Sequence, residues 1–235
     1  MKISRMLVLM MVLSLVAACG GSGGGGGGPT PTPTTPEARA ASGAAVEKSQ
    51  EASGQAILGA LEQFIPAIVL KAASSKAASD KPIDITQECN GGGSFTATGT
   101  ITAECTGLPA STTCVISNSS VNIAFADCYK GMDVEGVNYG ITLNGPASAS
   151  LTGSITADIS AEEPVILSSN FTGALSGEVT IGGDVVGTVD LDGVMYSGSG
   201  GDQPTIACSG TCTVTVDGEA EATCGVSSDC GGCTE

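Results

Sequence analysis

The chain has no histidine and no tryptophan, and its aromatic residues stop at Phe64, Phe95, Phe125, Phe171, Tyr129, Tyr139 and Tyr196. Without imidazole there is no histidine general base, no His-dependent triad and no His metal ligand. Bases are scarce as well: 8 Lys and Arg stand against 24 acids, for a net charge of −16. That balance excludes nucleic-acid binding through a basic patch. No G-x-S-x-G elbow, phosphate-binding glycine motif or metal motif occurs after the N-terminal segment. Glu162 and Glu163 are adjacent, so on a strand they point to opposite faces and cannot form a paired-carboxylate site. These absences leave little for catalysis, and neither an enzyme nor a cofactor is expected.

What is present begins with an address. Lys2 and Arg5 precede an apolar run from Met6 through Ala18, long enough for a secretory signal and too short for a membrane-spanning helix. Small residues close it, and Val16-Ala17-Ala18-Cys19 resembles the lipobox of bacterial lipoproteins. The resemblance covers the start of the chain only. It implies removal of residues 1–18, attachment of diacylglycerol and palmitate chains to Cys19, and, with Gly rather than Asp at position 20, residence in the outer membrane. Several acyl chains bind a bilayer far more tightly than one. Residues 19–36 continue with glycines and Pro-Thr alternation, which cannot build a core. They read as a tether that holds the folded part about 20–50 Å from the bilayer.

Residues 37–81 are rich in Ala, Glu, Lys and Gln and predict helix. Ile57, Leu61, Phe64, Ile65 and Ile68 form one apolar stripe, interrupted by Pro66, where a kink is expected near Phe64–Ile65. Acids and bases balance in this segment, so the stripe is expected to cover a face of the following sheet rather than anionic lipid.

From Pro82 the period becomes two. Phe95, Ala97, Gly99, Ile101, Ala103 and Cys105 alternate with Ser94, Thr96, Thr98, Thr100, Thr102 and Glu104. The alternation recurs at 121–127, 137–143, 147–159, 171–181, 185–191 and 206–224. Thr, Val and Ile with Gly-marked turns predict antiparallel strands with one polar face. Three-residue loops match faces at three hairpins. A loop at 217–219 pairs Val216 with Ala220 and Cys212 with Cys224. One at 182–184 pairs Ile181 with Val185 and Val179 with Gly187. One at Asn144-Gly145-Pro146 pairs Leu143 with Ala147 and Ile141 with Ala149. Gly99, Gly153, Gly173, Gly177, Gly187 and Gly210 lie on the apolar side, where they permit sharp curvature or close approach of another element. The expected fold is therefore mainly β with one N-terminal helical segment. It is an antiparallel meander of about nine strands, strongly curved or a half-barrel, with the helix packed on or in it as one folding unit with residues 82–235.

Residues 82–235 hold 19 acids and a single base, Lys130, for a net −18. A solvated, self-repelling outer face that prevents edge association is the expectation. Asp190-Leu191-Asp192-Gly193 lacks the ligand spacing of an EF-hand loop, and no metal site is assigned.

Cys19 apart, Cys89, Cys105, Cys114, Cys128, Cys208, Cys212, Cys224, Cys230 and Cys233 belong to an exported chain, where disulfides are the default. Cys89 with Cys128 would tie neighbouring strand ends, Cys105 with Cys114 would close a connection, and the register sets Cys212 opposite Cys224. Cys208 and Cys212, about 13 Å apart on one strand, cannot bridge each other. Cys230-Gly231-Gly232-Cys233 has the oxidoreductase spacing but lies in a Gly-rich tail rather than at a helix N-terminus. A zinc site from Cys208, Cys212, Cys224, Cys230 and Cys233 would require thiolates to escape oxidation. Together these readings describe a lipid-anchored envelope protein, bound to the membrane through its anchor, whose acidic β-face meets another envelope component. The alternative is a carrier whose half-barrel holds a small apolar ligand, an acyl chain or lipid.

Overall fold

The structure, a computed structural model, describes residues 35–61, 79–108, 111–158, 160, 165–201, 205–218, 222–226, 228 and 230. The signal, lipobox and tether lie outside them, as do Phe64, Ile65, Pro66 and Ile68 with the expected kink.

Thr35 caps the only helix among the described residues. Its hydroxyl accepts a hydrogen bond from the Ala38 N–H at 3.2 Å, and its carbonyl accepts one from the Arg39 N–H at 3.1 Å. Pro36 takes the first helical position, where a missing N–H costs nothing, and Glu37 adds a carboxylate at the positive end of the helix. Helix α1 runs Pro36–Leu61.

Ten β segments follow: β1 Ser79–Glu88, β2 Ser94–Leu108, β3 Ser111–Val134, β4 Val137–Asp158, β5 Val165–Ser176, β6 Glu178–Gly183, β7 Gly187–Asp190, β8 Val194–Gly200, β9 Thr205–Val216 and β10 Ala222–Gly225. Ser79–Lys81 thus open β1 rather than close the helical segment. Pro82 sits there without cost, because on an edge strand its missing N–H breaks no ladder.

The pairing order resolves into a plain meander. β4 pairs β5 (Ser148 with Ser176) and β6 (Asn144 with Thr180) in one unbroken register. β5 and β6 are therefore a single lane interrupted at Gly177. β7 and β8 likewise form one lane between that strand and β9, with a one-residue slip at Leu191–Gly193. Every lane is antiparallel to its sequence neighbour. Among the described residues no ladder joins β1 to β10, so the sheet stays open.

Two expected hairpins are corrected. Asn144-Gly145-Pro146 is not a loop but the middle of β4, where Phe125 faces Gly145 and Ala124 faces Pro146. Asn144 instead satisfies a bulge in β3: its Oδ1 accepts from the Asp127 N–H at 2.8 Å and its Nδ2 donates to Asp127 at 3.0 Å. Between β6 and β7 the partners are Ile181 with Gly187 and Val179 with Val189, two residues away from expectation. A shift of two keeps every side chain on its face, so alternation cannot detect it. Asp184 decides the matter: its N–H donates to the Gly140 carbonyl at 2.9 Å and its carboxylate accepts from the Gly140 N–H at 2.7 Å, holding 182–184 on β4. In β9–β10 the expected register holds, with Val214 opposite Ala222 and Cys212 opposite Cys224.

The sheet is curved, and α1 lies in the curve, packed against β1, β2, β3, β4, β5, β7 and β9. Phe95, Ala97, Ile101, Ala103 and Cys105 are all buried, as alternation demands. Inward glycines serve a further purpose where β5 meets β8. Gly173 pairs with Tyr196 and Phe171 with Gly198, and each ring lies over the glycine opposite. The two rings meet edge to face at 6.4 Å. A Cβ on Gly173 would collide with the Tyr196 ring and with the Ser150 carbonyl oxygen.

Gly173→Ala should therefore lower the denaturant-unfolding free energy by about 1–3 kcal/mol, an overpacking cost. Gly54→Ala, in α1 with nothing within 4 Å of the new methyl, should raise it by about 0.5–1 kcal/mol.

Candidate functional site

The candidate site is the contact between α1 and the sheet, which the sequence leads one to expect; its small, partly polar lining is what the sequence did not show. No α1 residue is exposed, and burial runs round the whole helix rather than along a stripe. Ile57 and Leu61 are buried as expected, but most of the face is small. Ala38, Ser42, Ala45, Ser49, Ala52, Ala56 and Ala60 recur at intervals of three and four and are all buried. This period brings the helix backbone close to the strands. Opposite it stand the large side chains of the sheet, Ile101, Ile123, Ile141, Leu143, Leu175 and Ile181 among them.

The helix carries polar groups into this interior. Lys48 is 5 % exposed and pairs with Glu51 at 2.6 Å. Gln55 Nε2 donates to Glu51 at 3.2 Å. Among the described residues, Ser49 Oγ, Gln50 Nε2 and Gln55 Oε1 have no hydrogen-bond partner. Each such group costs about 1–3 kcal/mol of lost hydration. The contacts that hold α1 in register cluster at its N-terminal half. Lys130 of β3 pairs with Glu47, Arg39 pairs with Glu135 in the β3–β4 turn, and the Tyr139 hydroxyl donates to Glu37 at 3.4 Å. Desolvation, then the Glu37 charge, raises the pKa of Tyr139. Farther along, the Tyr196 hydroxyl donates to the Ser150 carbonyl at 3.1 Å and lies 3.4 Å from Ser53 Oγ. Burial raises the Tyr196 pKa, opposed by the Ser53 contact.

None of these residues was singled out from the sequence as a site. Two signals could have found them: the Ala/Ser period in the helix, and Lys130 as the single base among so many acids.

The cysteines fall where strands meet. Cys89 is joined to Cys128 and Cys105 to Cys114, with Cα atoms 5.4 and 4.0 Å apart. Cys105 and Cys114 are direct partners in the β2–β3 ladder rather than flanks of a loop. Cys208 is joined to Cys230. This takes two thiolates from the zinc alternative and ties Cys230 to a strand instead of to Cys233. Cys233 and the side chain of Cys224 lie outside the described residues. Cys212 is buried opposite Cys224 in the backbone register, and burial, then the Asp190 charge, pushes its thiol up to about 11. Three disulfides are compatible with an oxidising, extracytoplasmic compartment, and no described helix is long and apolar enough to cross a membrane.

The acids do not coat the outer face. Asp80, Asp84 and Glu88 lie exposed on edge strand β1, and Asp127, Asp133, Glu135, Asp184, Asp192 and Asp217 at bulges and turns. Asp190 and Asp192 serve the break between β7 and β8: Asp190 Oδ1 accepts from the Asp192 N–H at 2.9 Å and Asp192 Oδ1 from the Gly177 N–H at 3.0 Å. The convex face between them exposes uncharged chains: Thr96, Thr98 and Thr100 of β2, Ser120 and Asn122 of β3, Ser150 and Thr152 of β4, Asn170 and Thr172 of β5. Among the described residues, the acidic β-face expected from net charge is thus mostly an acidic rim around Thr, Ser and Asn, with Glu178 of β6 and the apolar Val115, Leu167 and Met195 also exposed. Charged residues favour turns and edge strands, where they can be hydrated and block edge pairing.

No family model, no curated protein and no solved structure matches this chain.

Stability should fall above about pH 10, the usual tyrosine range, because Tyr196 is held protonated in the folded state. Its contribution is complete below the unfolded pKa and disappears as pH rises through the higher folded one. Tyr196→Phe should flatten this alkaline limb in denaturant titrations. An unchanged limb would assign it to other groups.

Proposed function

We propose that this chain is a lipid-anchored protein of the bacterial cell envelope with a non-enzymatic interaction role. It is secured to the outer membrane through Cys19 and displays its domain on the Gly/Pro/Thr tether. The observation that carries the reading is the division of the sheet into two faces. The concave face is occupied by α1, while the convex face presents exposed Thr, Ser and Asn inside an acidic rim. Such a face suits contact with an uncharged, hydrogen-bonding surface of another envelope component. The rim repels anionic partners and copies of the same chain. The Val16-Ala17-Ala18-Cys19 motif supports the anchor, and the disulfides support the oxidising compartment. Carriage of a small apolar ligand is the second reading, favoured by the poor fit of α1's polar groups to a buried position. It requires the helix to leave its seat.

Cys19→Ser should abolish metabolic labelling with palmitate and move the protein from the membrane to the soluble fraction. Retention in the membrane would remove the anchor from the proposal. Photo-crosslinking residues at Thr98 and Thr152 should give a discrete adduct in intact cells, with none from Asp84 on the edge. No adduct from either convex position would end the interaction reading.

A further inference from the structure

We propose that α1 is a displaceable plug and that the seat it vacates takes the acyl chains of an uncharged lipid. The inference rests on the carrier reading given second above, to which it assigns the ligand class and the way of opening; it concerns the concave face and does not depend on the convex-face interaction.

The two sides of the seat are unlike. The sheet contributes Ile101, Ile123, Ile141, Leu143, Leu175 and Ile181, all buried. The helix answers mainly with Ala, Ser and Gly, besides Val46, Ile57 and Leu61, and it places Ser49 (0 % exposed) and Gln55 (5 % exposed) in the interior with Ser49 Oγ and Gln55 Oε1 unpartnered among the described residues. Five of the eight buried polar or charged residues, Ser42, Lys48, Ser49, Ser53 and Gln55, are on α1. A helix of this composition loses less on meeting water than the sheet face beneath it, because small and polar side chains expose less apolar area. Removing the helix therefore returns polar groups to solvent and exposes an apolar gutter that an acyl chain covers well.

The fastenings define how it opens. Glu37, Arg39 and Glu47 hold the N-terminal half to Tyr139, Glu135 and Lys130, around the β3–β4 turn. Toward the C-terminal half, among the described residues, the side-chain hydrogen-bond link is the 3.4 Å approach of Ser53 to Tyr196, beside the buried Ile57 and Leu61. The disulfides Cys89–Cys128, Cys105–Cys114 and Cys208–Cys230 stitch the sheet and none reaches α1. The sheet can keep its curvature while the C-terminal half of the helix swings away from a clasped N-terminal end. Lipid headgroup charge is set by the field of the whole β domain: residues 82–235 carry a net −18, which repels an anionic head.

The test uses the full mature chain with Cys19→Ser, exported behind a signal without a lipobox. Amide hydrogen exchange should show α1 opening at least tenfold faster than β3 and β4. The neutral apolar dye N-phenyl-1-naphthylamine should bind with a fluorescence rise and be displaced by an uncharged monoacylglycerol. Ser49→Ala, which removes an unpartnered hydroxyl from the plug, should weaken dye binding severalfold. Ala56→Asp, which puts a charge into the seat, should strengthen it severalfold while the β circular-dichroism signal persists. Equal exchange rates in helix and sheet would overturn the proposal. So would loss of the β signal in Ala56→Asp, or a folded Ala56→Asp that binds no dye. Displacement by an anionic fatty acid better than by monoacylglycerol would overturn the assignment of an uncharged lipid.

Discussion

Burying one helix on all sides inside a single antiparallel sheet is the constraint from which the remaining architecture follows. A flat sheet covers one face of a helix. Contact with strands as far apart in the meander as β1 and β9 requires the sheet to curl. Curling at this radius asks for small side chains on the helix, and α1 supplies Ala, Ser and Gly at the positions that face the strands. It also asks for relief points in the strands. These are the Gly177 break between β5 and β6, the Leu191–Gly193 slip between β7 and β8, and the Asp127 bulge in β3, each closed by a side-chain carboxamide or carboxylate. Bulges of this kind bend a strand and increase its twist.

Aromatic scarcity is met by the same economy of space. The four rings in the two close pairs, Phe95 with Phe125 and Phe171 with Tyr196, are placed across neighbouring strands. The second pair sits over glycines. A core with so few rings relies on many small contacts and on covalent ties between strands, and the bonded cysteines bring neighbouring lanes together or, at Cys230, hold the segment after β10 onto β9.

Much of the fold was legible because period-two alternation depends only on which face is buried. The antiparallel strands and the inward set Phe95–Cys105 follow from it, while the N-terminal helix was read from its Ala-rich composition and the curvature from the inward glycines. What alternation cannot report is register modulo two, which is why the β6–β7 pairing moved by one full pleat. It also cannot separate a turn at Asn144-Gly145-Pro146 from continuous strand facing the β3 bulge at Asp127. The helix seat was not legible for a different reason. Ser49, Ser53 and Gln55 look like solvent-facing residues, and their burial is decided by how far the sheet wraps, a tertiary property. Net charge said how many acids there were and nothing about whether they would line a face or a rim.

Connectivity gives the helix one more meaning. The chain before Thr35 enters the fold through the helix, so tension along it is felt by α1 before any strand. The ion pairs at Arg39 and Glu47 and the hydroxyl of Tyr139 stand at that entry point. A pull directed along the helix axis loads these contacts together, in shear, while a pull across the axis peels them one after another. Shear resists force better than peeling, so the resistance of these contacts depends on the angle at which the chain before Thr35 is drawn. The sheet, stitched by its own disulfides, takes up such a load only after these helix contacts.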